Sequence, residues 1–124
     1  MNIKELMVGD WICDKSRGYP IYIKIKDTCQ LSYLSENENR YNPILITKEI
    51  LINNDFIKIE DCEIYHTKFI NHNDEVDISY NIINKSLLIN IPKKISIDIK
   101  GNFNYVHELQ ELLRILKINK EIKL

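Results

Sequence analysis

Between Phe56 and Ile99 the sequence holds five short runs rich in β-branched and aromatic residues, and the segments that separate them are too short for a crossover. The runs cover residues 56–60, 63–70, 76–80, 87–91 and 95–99. Asn, Asp and Lys dominate the intervening segments 71–74, 81–85 and 91–94. A parallel connection needs a dozen residues or more, so these strands are predicted to form an antiparallel meander. Pro92, which has no backbone N–H to give to a ladder, belongs at a strand end or edge.

Upstream, residues 19–26 alternate strictly, with Ile21, Ile23 and Ile25 on one face and Tyr22, Lys24 and Lys26 on the other. That period of two predicts a half-buried strand. Gly9-Asp10 is a turn signal before another strand starting at Trp11, and Ile3, Leu6 and Val8 are candidates to plug the sheet. A third strand is expected over 28–34, with Cys29, Leu31 and Tyr33 on one face, until the polar run 35–40 breaks it.

After Pro43 the period changes. Thr47 is placed to cap a short helix with Glu49 in its first turn, Ile50 and Leu51 as anchors and Asn53 or Asn54 at its exit. A longer helix is expected over 104–117. At about 100° per residue, Tyr105, Val106, Leu109, Leu112, Leu113 and Leu116 share one arc, and His107, Gln110, Glu111 and Arg114 lie opposite and are predicted to face solvent.

Composition bounds the rest. A chain of 124 residues is long enough for one core without metals or disulfides. Its 17 Lys and Arg against 18 Asp and Glu leave a net charge of -1, so it lacks the overall basic field that drives nonspecific binding to phosphate or anionic lipid. The three cysteines, Cys13, Cys29 and Cys62, form no CxxC pair and read as reduced, partly buried small hydrophobes. No run reaches the roughly 20 apolar residues of a membrane span, and the charged opening does not suit a signal peptide. Abundant Ile and Asn with scarce Gly, Pro and Ala fit an AT-rich coding bias, which inflates apparent strand propensity.

Three blocks carry a resemblance. Residues 5–11 (Glu-Leu-Met-Val-Gly-Asp-Trp) resemble an "ELRIGNW" opening, residues 43–51 a "PIPLTEEIL" segment, with Phe56 matching the Phe that follows it, and residues 105–112 a "YVHQLQNLY" helix. Their order and spacing are similar to those in a family of small proteins of unassigned function encoded by phages and mobile elements of gut Bacteroidales. The resemblance implies a phage or mobile-element origin and supplies no catalytic residue. The chain departs from the pattern at Asp10, where Asn is commoner, and at Lys117-Ile118-Asn119, which replaces a Thr-Gly stop. The opening also resembles SH3-like small barrels. The expected architecture is therefore α+β: an N-terminal SH3-like β-barrel module over 1–42, then a module over 43–124 with a short helix, an antiparallel meander and the C-terminal amphipathic helix packed on the sheet, the two sharing one core.

Chemistry is sparse. Cys62 and His66 on one strand would stand roughly 13 Å apart, too far for one zinc, and only His72 and Cys29 brought in by the fold could complete a site. Asp74, Glu75 and Asp77, with Asn71 and Asn73 before them, lack the ligand order and central glycine of a calcium loop and read as a hairpin turn. Asp10, Asp14, Asp27, Glu60, Asp61 and Glu63 sit near strand ends or turns, where carboxylates serve solubility as readily as acid–base chemistry. No enzyme, cofactor or metal is expected. Trp11, Tyr19, Tyr22, Lys24 and Lys26 mix broad amphipathic surfaces with cations and form the candidate interaction site. The expected function is noncatalytic protein–protein interaction for a phage or mobile element, with a host or phage protein as partner and a homo-oligomer through an exposed strand edge. Nucleic-acid binding by the same face is the alternative. The expected location is the host cytoplasm or a virion, with no membrane partner.

Overall fold

The computed structural model describes residues 6–71, 74–92 and 94–124. Ile3 and Glu5 of the opening, together with His72, Asn73 and Lys93, lie outside the described residues. The chain divides into two compact units: residues up to Leu45 with Tyr105–Gln110, and Ile46–Asn104 with Glu111–Leu124.

The first unit is built on an open three-stranded antiparallel sheet in the order β2-β1-β3, with β1 at Trp11–Asp14, β2 at Ile21–Lys24 and β3 at Tyr41–Asn42. The sheet is not closed, so the expected SH3-like barrel is not formed. The reason lies in residues 28–36, which form helix α1, Thr28–Glu36, where a third strand was expected. Asp27 caps this helix by accepting from the Gln30 N–H at 2.8 Å, and the Gln30 side chain reaches back to accept from the Lys26 N–H at 2.7 Å. This exchange is close to a capping box, and it favours helix over strand for the segment. Leu34 of α1 joins Leu6, Ile12, Ile25 and Tyr41 in the core of the unit, with Ile23 and Leu31 packed against it. Val8, expected to plug the sheet, is exposed.

The second unit opens with helix α2, Lys48–Asn53, capped by Thr47, whose hydroxyl accepts from the Ile50 N–H. Five antiparallel strands follow in chain order: β4 (Ile57–Lys58), β5 (Ile64–Asn71), β6 (Asp74–Asn81), β7 (Ser86–Ile91) and β8 (Ile95–Ile99). Their register puts Tyr65, Thr67 and Phe69 of β5, Val76, Ile78 and Tyr80 of β6, and Leu87 and Ile89 of β7 on one face. Of these, Tyr65, Val76, Ile78, Tyr80, Leu87 and Ile89 are at most 2% exposed, so this face is the core. The Tyr80 hydroxyl donates to the Phe103 carbonyl at 2.6 Å, and the two rings meet edge to face.

Helix α3, Val106–Ile115, starts with half a capping box, the Glu108 carboxylate accepting from the Tyr105 N–H at 2.9 Å. It ends where the sequence lacks the expected stop. Ile118 N–H donates to the Leu113 carbonyl and Lys117 N–H to that of Arg114, the two bonds of a Schellman motif, with Lys117 at φ 58° where glycine is usual. Helix α2 ends the same way through Asp55 at φ 69°, whose successor Phe56 donates to the Leu51 carbonyl. Side chains at left-handed φ are strained, so Lys117→Gly is expected to raise stability by about 1 kcal/mol, read as a higher urea midpoint.

One helical-phase expectation fails. His107 and Gln110 were predicted to face solvent, yet they are 3% and 8% exposed. The His107 ring stacks on Tyr105 at 5.6 Å, and Gln110 brackets two backbone groups described below.

Candidate interaction surface

In an antiparallel pair, directly opposed residues project from the same face. The register sets Trp11 opposite Lys24, and Cys13 opposite both Tyr22 and Asn42. Trp11, Tyr22 and Lys24 therefore share the face of the three-stranded sheet opposite to Ile12 and Ile23, which turn to the core. Tyr22 is 53% exposed, while Trp11 and Lys24 are half-buried. Tyr19 and Lys26 are exposed in the segments flanking β2, and the Lys26 backbone belongs to the α1 cap. The sheet thus brings together three of the five expected residues.

Gln110 holds this face at its edge, a role the sequence did not reveal. Its Oε1 accepts from the Trp11 N–H at 3.0 Å and its Nε2 donates to the Gly9 carbonyl at 2.9 Å. Asp10 is 1% exposed, and its carboxylate accepts from the Met7 N–H, closing the turn before β1.

The most strongly perturbed ionisable group in this unit is Asp14, at the end of β1. Arg40 donates through Nε to both its oxygens and through Nη2 to Oδ2 at 2.8 Å, and the Ser16 N–H adds a third donor group. Arg40 Nη1 also donates to the Tyr33 hydroxyl, and the guanidinium lies 5.6 Å from the centre of the Tyr41 ring. The Arg40 hydrogen bonds hold the Asp14 carboxyl well below the usual carboxylate range. These donors and acceptors are engaged within the chain, so the pair fastens the β1 end to the turn before β3. A carboxyl whose folded pKa lies below its unfolded value of about 4 contributes stability that is complete above that value and is lost as pH falls through the folded pKa. Stability of the first unit is expected to fall as the solution is acidified below about pH 5, and Arg40→Met to remove most of that dependence while lowering stability at pH 7. Urea unfolding across pH checks both.

In the second unit a groove of about 750 Å³ is lined by Asn53, Asp55, Lys68, Phe69, Lys117 and Lys120 among others. Its most enclosed cation, Lys120, donates to the Asn54 carbonyl and to Asp55 Oδ2 at 2.7 Å and sits over the Phe69 ring at 5.6 Å. That hydrogen bond holds the Asp55 pKa down. The charge of Lys120 is therefore engaged within the chain.

Among the described residues no three potential metal ligands gather. Cys62 lies exposed ahead of β5, and His66 Nε2 is 3.8 Å from Asp77. Asp74 pairs with Lys94 and Glu75 with Lys68. Cys29 and Cys62, expected to be partly buried, are both exposed, whereas Cys13 is half-buried. Among the described residues no helix is long and apolar enough to cross a membrane. No protein-family model matches the chain, and comparisons with curated proteins and with solved structures find no match.

Proposed function

We propose that the chain acts without catalysis, as an accessory protein of a phage or mobile element that binds a host protein or a particle component through the Trp11, Tyr22 and Lys24 face. The observation that carries this reading is the register of β1 and β2, which sets a tryptophan, a half-exposed tyrosine and a lysine side by side on the face turned away from the core. Aromatic side chains of this kind provide broad contact area at low rotamer cost and are enriched at protein interfaces. Tyr19, 59% exposed beside the start of β2, extends the patch. The phage setting rests on the three resembling blocks, and the site of action proposed with it is the host cytoplasm.

A second reading, binding of single-stranded nucleic acid, is favoured by the Trp11–Lys24 pairing, which couples a stacking surface to a cation. The two are separated by affinity capture from the producing cell with nuclease treatment. A protein retained by the wild type and lost on Tyr19→Glu with Tyr22→Glu supports the first. Binding of a single-stranded oligonucleotide that weakens steeply with salt and is lost on Lys24→Glu with Lys26→Glu supports the second.

A further inference from the structure

The core face of the five-stranded sheet continues onto its last strand without a cover. Ile95, Ile97 and Ile99 of β8 stand opposite Ile91, Ile89 and Leu87, so they extend the same apolar row. Leu87 and Ile89 are 1% exposed, yet Ile97 is 38% and Ile95 50% exposed. The row is thus closed on the β7 side and open on the other. Among the described residues β8 pairs only with β7, leaving a five-residue edge free to template another strand. The opposite edge differs: β4 has two residues, and its Lys58 is paired with Glu63. Short, charged edges resist strand addition, whereas β8 is five residues long and carries one charge, Asp98, on the face away from its isoleucines. Lys94, just before it, is held 2.8 Å from Asp74.

The occupant can be read from the strand itself. Its sequence, Ile-Ser-Ile-Asp-Ile, is symmetric in polarity about Ile97. An antiparallel copy related by a twofold axis through Ile97 sets Ile97 against Ile97, Ile95 against Ile99, and the Ser96 hydroxyl against the Asp98 carboxylate. Each apolar residue then meets an apolar one, and each carboxylate meets a donor. A one-residue slip would turn the isoleucines of one strand to the opposite face from those of its partner. Moving the axis to Asp98 would set two carboxylates against each other, and moving it to Ser96 would take Ile99 out of the isoleucine pairing.

We infer that β8 pairs with β8 of a second copy about a twofold axis through Ile97, joining two five-stranded sheets into one of ten strands. The inference is independent of the Trp11 face, because it rests on the other unit. The contact is small, so the dimer is weak and concentration-dependent.

Sedimentation velocity over a rising protein concentration tests it. The expected result is a shift from one chain to two that Ile97→Lys abolishes without changing the urea midpoint. Register is tested in a background carrying Cys13→Ser, Cys29→Ser and Cys62→Ser: oxidation with diamide is expected to crosslink Ile97→Cys efficiently and Ser96→Cys poorly. A chain that stays monomeric at every concentration, a dimer that Ile97→Lys leaves intact, or preferential crosslinking of Ser96→Cys would each overturn the inference.

Discussion

Asn54→Ala is expected to lower the stability of the second unit by about 3 kcal/mol. Asn54 is 1% exposed and makes three hydrogen bonds, each 2.7 Å long: Nδ2 donates to the carbonyls of Ile50 and Lys123, and Oδ1 accepts from the Lys123 N–H. One amide thereby ties the end of α2 to a chain segment 69 residues away. Truncation removes the side-chain partner of two carbonyls and an N–H at a part-buried place, and each such loss costs up to about 1 to 3 kcal/mol before relaxation or entry of water. Asn54→Asp separates this from a simple loss of volume. It keeps the shape but aims an oxygen at two carbonyl oxygens, so it is expected to destabilise at least as much as alanine at neutral pH. Urea denaturation of the three proteins decides the matter. A midpoint unchanged in both variants would mean that Asn54 does not hold the segment.

The second large effect is expected at Gln110. Gln110→Ala removes the side-chain partner of the Gly9 carbonyl and of the Trp11 N–H and should cost about 2 kcal/mol. Trp11 is the sole tryptophan of the chain, so its emission reports the start of β1 directly. Loss of the bracket is expected to shift that emission to the red as the strand end opens to water. Gln110→Glu retains the acceptor for the Trp11 N–H but replaces the donor to Gly9, so it should preserve more of the native emission while still destabilising the unit.

Which parts of this structure could be read in advance follows from the range of the interactions involved. The strands β5 to β8 were legible because alternation and connection length are local properties, and each strand meets its neighbour across a short turn. Helix α2 was legible from Thr47 for the same reason. Helix α1 was misread because Cys29, Leu31 and Tyr33 also alternate, and an isoleucine-rich, tyrosine-rich background favours strand. The competing signal, Asp27 three residues before Gln30, was present in the sequence and outweighs that alternation once the cap forms. Without that third strand the N-terminal sheet stays open.

His107 and Gln110 were misplaced for a different reason. Helical phase sorts residues by apolarity, whereas Gln110 is buried to serve backbone groups 99 and 101 residues away, which no local pattern records. The same holds for Asn54 and its distant partner. At the candidate surface, the alternation of β2 placed Tyr22 and Lys24 together, but the pairing of Lys24 with Trp11 depends on register and could be seen only in the fold.

Comparative affinity capture tests whether the proposed Trp11, Tyr22 and Lys24 face binds a protein. Wild type, Tyr19→Glu with Tyr22→Glu, and Lys85→Glu are used as baits, the last altering the turn before β7 in the other unit. The expected result is a nuclease-resistant protein partner retained by the wild type and by Lys85→Glu, and lost from the double tyrosine variant. Retention of that partner by the double variant, at unchanged stability of the bait, would contradict it.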